Sequence, residues 1–284
     1  MRWLAAGLMA LSAAFTAGCG GGKATANGSN NTSLSQSRLT QAETRAAGFT
    51  KSGDYQNAAR QYAEALRIAT TLENADAVAA NAINLSVVSQ WLGRDNDARA
   101  ALDAVLTDSH TAFSERRKIQ AELRRAIVEL GGGNTGAAAI WAGQAQQRCS
   151  ATNCEYAAGI LNVRAQIELD SGRAAEAAQL AQSAAERSRS SGSRVESANA
   201  LRTLGRARYA QGQPAAAIEP LKQALEIDRE MGDPRKILAD LADLSRAAEA
   251  AGDAAAARDY KERGLAVSRA MNGGRGAPEA ALTR

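Results

Sequence analysis

The chain has 284 residues, 45% of them hydrophobic but only 4% aromatic, and carries a formal net charge of +4. Four prolines and few β-branched clusters argue against a sheet protein. So small a charge, with both signs spread along the chain, gives no case for nucleic acid binding. Alanine, at about a quarter of the residues, supplies most of the apolar fraction, so a core here depends on close backbone approach and high helix propensity. In chain order, residues 1–18 come first. Arg2 gives a basic start, an apolar run extends from Trp3 to Phe15, and Ala17 and Gly18 precede Cys19. That is the three-part layout of a secretory signal, and the run is too short for a comfortable membrane span. Residues 19–34, rich in Gly, Ser, Asn and Thr, read as a flexible tether.

The end of the signal, Thr16-Ala17-Gly18-Cys19, resembles the lipobox of bacterial lipoproteins, with Thr16 where leucine is usual. The resemblance implies cleavage before Cys19 and lipid attachment to it. Each buried acyl methylene contributes about 0.8 kcal/mol, so several chains anchor a protein firmly. Gly20 follows the cysteine, which by resemblance to enterobacterial lipoproteins implies sorting to the outer membrane, facing the periplasm.

Residues 35–271 carry a repeat. Glycines recur at Gly53, Gly93, Gly133, Gly172, Gly212 and Gly252, in steps of 40, 40, 39, 40 and 40 residues. Five residues after each stands an alanine: Ala58, Ala98, Ala138, Ala177, Ala217 and Ala257. Seven before each stands Ala46, Ser86, Ala126, Ala165, Gly205 or Ser245. A fixed period of this size marks stacked helical hairpins. The glycine takes the turn, and the small residues let the paired helices approach. A second phased set, Asn74, Ser114, Asn153, Ser193 and Asp233, should cap the next helix. Thr40-Gln41-Ala42-Glu43 and Ser193-Arg194-Val195-Glu196 have the capping-box pattern. Pro220 falls inside a helix and should remove one backbone bond and bend it. Residues 272–284 read as a frayed tail.

The repeat resembles the tetratricopeptide repeat in its forty-residue variant. The best match is KSGDYQNAARQYAEALRIA, Lys51 to Ala69, and the second is LRTLGRARYAQGQPAAAIEPLKQALEI, Leu201 to Ile227. The resemblance implies an all-α, right-handed helical-hairpin solenoid of about six repeats, with helix A before each glycine and helix B after it.

Cys149 and Cys154 are five apart and either close a small disulfide loop or stay as free thiols; an exported protein sits where disulfides persist. Two thiols are too few to bind zinc, and no metal or cofactor is expected. The lone His110 lies in a polar stretch. No nucleophile elbow, HExxH or P-loop is present, so the chain does not read as an enzyme. A glycan-cleaving solenoid would need carboxylates converging in the groove. Trp91 and Trp141 read as core. The basic run Arg116-Arg117-Lys118, with Arg124 and Arg125, reads as a solvated face or as a contact for anionic lipid or an acidic partner.

A solenoid offers a concave surface, lined in the resembled family by helix A. The glycine phase puts Asn84, Arg124, Asn162, Arg202 and Arg206 on or near it. Amides can bond a peptide backbone and arginines can fork onto carboxylates, so the expected partner is a protein or peptide with acidic groups, not a small-molecule substrate. The function expected is that of an envelope scaffold, adaptor or assembly factor. A soluble or cytosolic-type signalling adaptor is the alternative.

Overall fold

The computed structural model describes residues 33–151 and 154–271. Cys19, most of the tether, Asn153 and the tail lie outside the described residues. Twelve α-helices, and no strand, occur among the described residues. They pair as α1 (Leu34–Lys51) with α2 (Tyr55–Thr71), α3 (Ala75–Trp91) with α4 (Asp95–Leu106), and α5 (Glu115–Gly131) with α6 (Thr135–Ser150). The series continues with α7 (Ala157–Asp170) and α8 (Ala174–Ser191), α9 (Arg194–Ala210) and α10 (Pro214–Met231), and α11 (Pro234–Ala250) and α12 (Ala254–Met271). The odd-numbered helices are the expected A helices and the even-numbered ones the B helices. The chain divides at Phe113/Ser114 into two compact units, holding two hairpins and four. Each is a stack of helical hairpins, the solenoid class.

Each phased glycine closes helix A in the same way. Gly53, Gly93, Gly133, Gly172, Gly212 and Gly252 all have φ between 72° and 85°. The residue after the glycine donates its N–H to a carbonyl five back, as in Asp54 to Phe49 (2.9 Å) and Asn134 to Glu129 (2.8 Å). The glycine itself donates to the residue three back, as in Gly53 to Thr50 (3.2 Å). This pair of bonds is the Schellman motif, and it satisfies carbonyls the helix end would otherwise leave bare. The same motif closes three B helices through Glu73, Gly192 and Gly232. Glu73, with φ 51°, is the only non-glycine at positive φ among the described residues.

The small residues do what their phase implies. Ala58, Ala98, Ala138, Ala177 and Ala217 are fully buried, and Ala257 nearly so. They lie at the crossing of A and B, opposite the small residue seven before the glycine. There Ser245 Oγ donates to the Ala257 carbonyl (2.9 Å). A Cβ added at Gly205 would lie 3.1 Å from the Ala217 carbonyl and 2.5 Å from Leu221 Cγ. The helices are held too close there for even a methyl group.

Three of the expected caps form: Asn74 accepts from Ala77 N–H, Ser114 from Arg117 N–H, and Asp233 from Arg235 and Lys236 N–H. Both capping boxes fail. Helix α1 starts earlier than Thr40, on Ser33, whose side chain accepts from Gln36 N–H. Thr40 is therefore inside the helix and bonds the Gln36 carbonyl. Ser193 makes no side-chain cap bond, and the Glu196 carboxyl turns inward to the neighbouring repeat. Pro220 lies in α10 and is buried. The carbonyl four residues before it, Ala216, receives instead a long contact from Arg208 Nη1 (3.5 Å). Helix α9 thus supplies a donor to the backbone group that proline leaves without one.

Candidate partner-binding face

In the unit from residue 114 onward, α5 touches α7, α7 touches α9 and α9 touches α11, while no B helix makes comparable contact with the next B helix. The A helices are therefore the closely packed layer of this unit. Their mutual contacts follow one register. The residue ten before one turn glycine meets the residue twelve before the next, and the residue six before meets the residue nine before.

Between α9 and α11 both rungs are charged. Arg202 Nε donates to Asp240 Oδ1 (2.5 Å), and Arg206 Nε to Asp243 Oδ2 (2.6 Å). Between α7 and α9 the lower rung is Gln166 to Thr203 (3.4 Å). Between α5 and α7 the same positions are Leu123 with Ile160 and Ile127 with Val163, all in one apolar cluster. In the unit before residue 114 the upper rung recurs as Asn81 Nδ2 donating to Glu43 Oε1 (2.7 Å).

This register revises the sequence-derived face. Arg202 is not offered to a partner. Its guanidinium is buried (4% exposed), bonded to Asp240 and to Asp228 of α10, and also reaches Asn199 Oδ1 (3.3 Å). Burial works against that charge, but Asp240 and Asp228 more than compensate and hold it above the usual arginine range. Arg206 is one-third exposed but ion-paired to Asp243, which Arg246 also holds. Arg124 and Asn162 are buried. Asn84, one turn beyond Asn81 on α3, is partly exposed. The register sets Asn162 on α7 and Arg202 and Arg206 between α9 and α11, and it makes the arginines structural, because a guanidinium fork aimed along the layer meets carboxylates on the next repeat.

Sequence reasoning missed the partners of these arginines, Asp228, Asp240 and Asp243. A step of 38 residues, two short of the period, links Glu43 to Asn81 and Arg202 to Asp240, and only a known stacking register makes that spacing meaningful. It also missed Glu196. Its carboxyl rests against α7, where a Cβ on Gly159 would lie 3.4 Å away. Burial pushes this group up to about 7, while Lys236 pulls the other way.

The remaining candidates have structural settings. Cys149 and Cys154 form a disulfide, Cα to Cα 5.2 Å, bridging the α6–α7 connection. Trp91 packs against Tyr55 with the rings tilted at 58° and their centroids 4.8 Å apart, and Arg125 lies 5.5 Å over Trp141. The basic run is locally neutralised: Arg116 pairs with Glu155 (2.7 Å), Lys118 with Glu115 (3.2 Å) and Arg125 with Glu129 (2.7 Å). His110 is exposed. Among the described residues no group of His, Cys, Asp and Glu could hold a metal ion, and no helix is long and apolar enough to cross a membrane.

Phased hairpins, Schellman turns and a rung-like A layer define a helical-hairpin repeat protein. Residues 156–230, within the second unit, match the family model of the tetratricopeptide repeat. No curated protein sequence matches the chain. Among solved structures it is similar to BtubC from P. vanneervenii, at TM-score 0.56 and 19% identity, over 87% of this chain and 96% of that one. A signal-transduction ATPase with a tetratricopeptide-repeat sensor, from Pyrococcus horikoshii, gives TM-score 0.60 and 15% identity over 84% of this chain. The likeness covers 36% of that larger protein. A Rap protein solved in complex with competence and sporulation factor gives 0.58 and 14%, over 84% of this chain and 66% of its own. At these identities the likeness is one of fold.

Proposed function

We propose that this chain is a protein-binding scaffold, lipidated at Cys19 and held at the periplasmic face of the outer membrane, where it serves an envelope assembly as adaptor. The observation that carries the binding role is the close-packed A layer, whose polar side chains are fixed by register and whose lower edge stays open to solvent at Asp170 and Tyr209. A face made rigid before binding loses little freedom when a partner docks. The Rap protein's complex with its factor lends the reading support by analogy of fold.

The envelope location rests on the sequence of residues 1–20, and the Cys149–Cys154 bond accords with an oxidising compartment. Because Arg202 and Arg206 are already paired, the acidic partner expected from sequence loses its main support. Amide and hydroxyl groups on the A layer suit an extended peptide backbone.

Two measurements test this. Fatty-acid labelling should mark the wild type and not Cys19→Ser; an unlabelled wild type would favour the soluble adaptor. A photo-crosslinking residue at Asp170 or Tyr209 should capture one defined envelope protein, while the same residue at Glu219 on α10 should not. Equal capture from both faces would remove the A layer as the docking surface.

A further inference from the structure

Within the second unit, two of the three joints between a B helix and the next A helix are short turns, Gly192-Ser193 and Gly232-Asp233. Each is fixed by a left-handed glycine and a bond five residues back: Ser193 N–H to the Ser188 carbonyl (3.0 Å) and Asp233 N–H to the Asp228 carbonyl (3.2 Å). The α6–α7 joint is built otherwise. It runs over residues 151–156, and none of its described residues is left-handed. Counted back from the turn glycines, Cys154, Glu155 and Tyr156 stand where Arg194, Val195 and Glu196 make the first turn of α9, so α7 has 14 residues to the 17 of α9. Helix α6 also packs on α7 less extensively than α8 on α9 or α10 on α11.

This joint is closed by the Cys149–Cys154 bond, with Cys149 buried and Cys154 partly exposed. Further ties reach the same place from α5. Arg116 Nε donates to Tyr156 Oη (3.0 Å), and Arg148 pairs with Glu115 (2.9 Å) and Glu122 (2.7 Å). Ile119 and Leu123 of α5 share one apolar cluster with Ile160 and Val163 of α7. None of these contacts needs the bond between the sulfurs. A ring closed by cysteines five residues apart removes little freedom from the unfolded chain, so the bond adds less to global stability than a long-range one would. Its effect is local: it pins the head of α7 to the end of α6.

We infer that the Cys149–Cys154 bond is a redox latch: a dithiol reductant opens it at Cys154 and frees the head of α7 while the hairpins stay folded. One thiolate of the reductant attacks Cys154 Sγ, the more accessible sulfur, and Cys149 leaves as a thiolate that takes a proton from water. The reductant's second thiol then attacks its own sulfur in the mixed disulfide, and Cys154 leaves with the proton that thiol gives up. The protein gains two thiols and the reductant departs as a disulfide. The latch stands whether or not the A layer binds a partner.

The test uses the purified full chain with dithiothreitol and with glutathione. Dithiothreitol at about pH 8, without denaturant, should convert both cysteines to thiols that iodoacetamide labels, with helicity by circular dichroism unchanged. Hydrogen exchange should then quicken at least about tenfold over residues 155–163 and stay the same over residues 194–271. Glutathione, a monothiol, should be trapped as an adduct on Cys154 and not on Cys149. Cys149→Ala with Cys154→Ala should exchange fast without reductant and not respond to it. The inference is overturned if the bond opens only in urea, if reduction unfolds the chain as a whole, if exchange over residues 155–163 is unchanged or slower, or if glutathione is found on Cys149.

Discussion

Arg202→Met separates a structural arginine from a ligand-reading one. In the folded chain the Arg202 side chain is 4% exposed, and those of Asp228 and Asp240 are 1% and 0%. Removing the cation leaves two carboxylates in a protein interior with no counter-charge in contact, and breaking a buried pair in this way costs about 3–5 kcal/mol. Against a total stability on the order of 5–15 kcal/mol, that is a large fraction. Stacked repeats hold chiefly to their neighbours, so the loss should fall on the last interface, and α11 and α12 should loosen before the rest. Urea unfolding followed by circular dichroism would show an early phase, and hydrogen exchange would place it in residues 234–271. Arg206→Met is the control: its guanidinium is one-third exposed and Asp243 keeps Arg246, so the cost should stay below about 1 kcal/mol. Combining Arg202→Met with Asp228→Leu and Asp240→Leu should recover most of the loss, since apolar replacement of a whole buried cluster is often neutral. An Arg202→Met protein within about 0.5 kcal/mol of wild type, the usual range for an exposed substitution, would refute this reasoning and return Arg202 to the binding face.

Four further outcomes follow from particular positions. Gly205→Ala should gain about 1 kcal/mol of helix propensity and lose about 1–3 by crowding the fully packed Leu221, for a net fall in Tm. Gly143→Ala, where an added Cβ meets nothing within 4 Å, should raise Tm instead. Glu73→Gly should stabilise by about 0.5–1 kcal/mol, because the left-handed strain removed exceeds the added chain entropy; a lower Tm would contradict this. Glu196 titrates near 7 when folded and near 4.5 when unfolded, so its contribution is greatest below about pH 4.5 and is lost as pH rises through about 7. That loss amounts to about 3 kcal/mol, and Glu196→Gln should abolish it, making the variant the more stable protein at about pH 8. Paired urea titrations across pH check the sign, and parallel curves would show Glu196 to be solvated.

The hairpins were legible because their cause is local. A glycine that must turn left-handed, an alanine five residues on and a small residue seven before leave a periodic trace, and each acts within its own hairpin. The caps were only partly legible. Ser193 and Glu196 have the spacing of a capping box, but the Glu196 carboxyl packs against Gly159 on the preceding repeat, and that tertiary contact takes its half of the local pattern away.

The chain's own sequence determined where each helix stops and how closely its partner lies, since turn conformation and side-chain size act over a few residues. It did not determine which polar residues face solvent. Asn162, Arg202 and Arg206 share a face by periodicity, yet whether an arginine there meets water or an aspartate depends on how far the next repeat is shifted along it. That shift is set by packing between helices nearly forty residues apart, and only the folded stack reveals it.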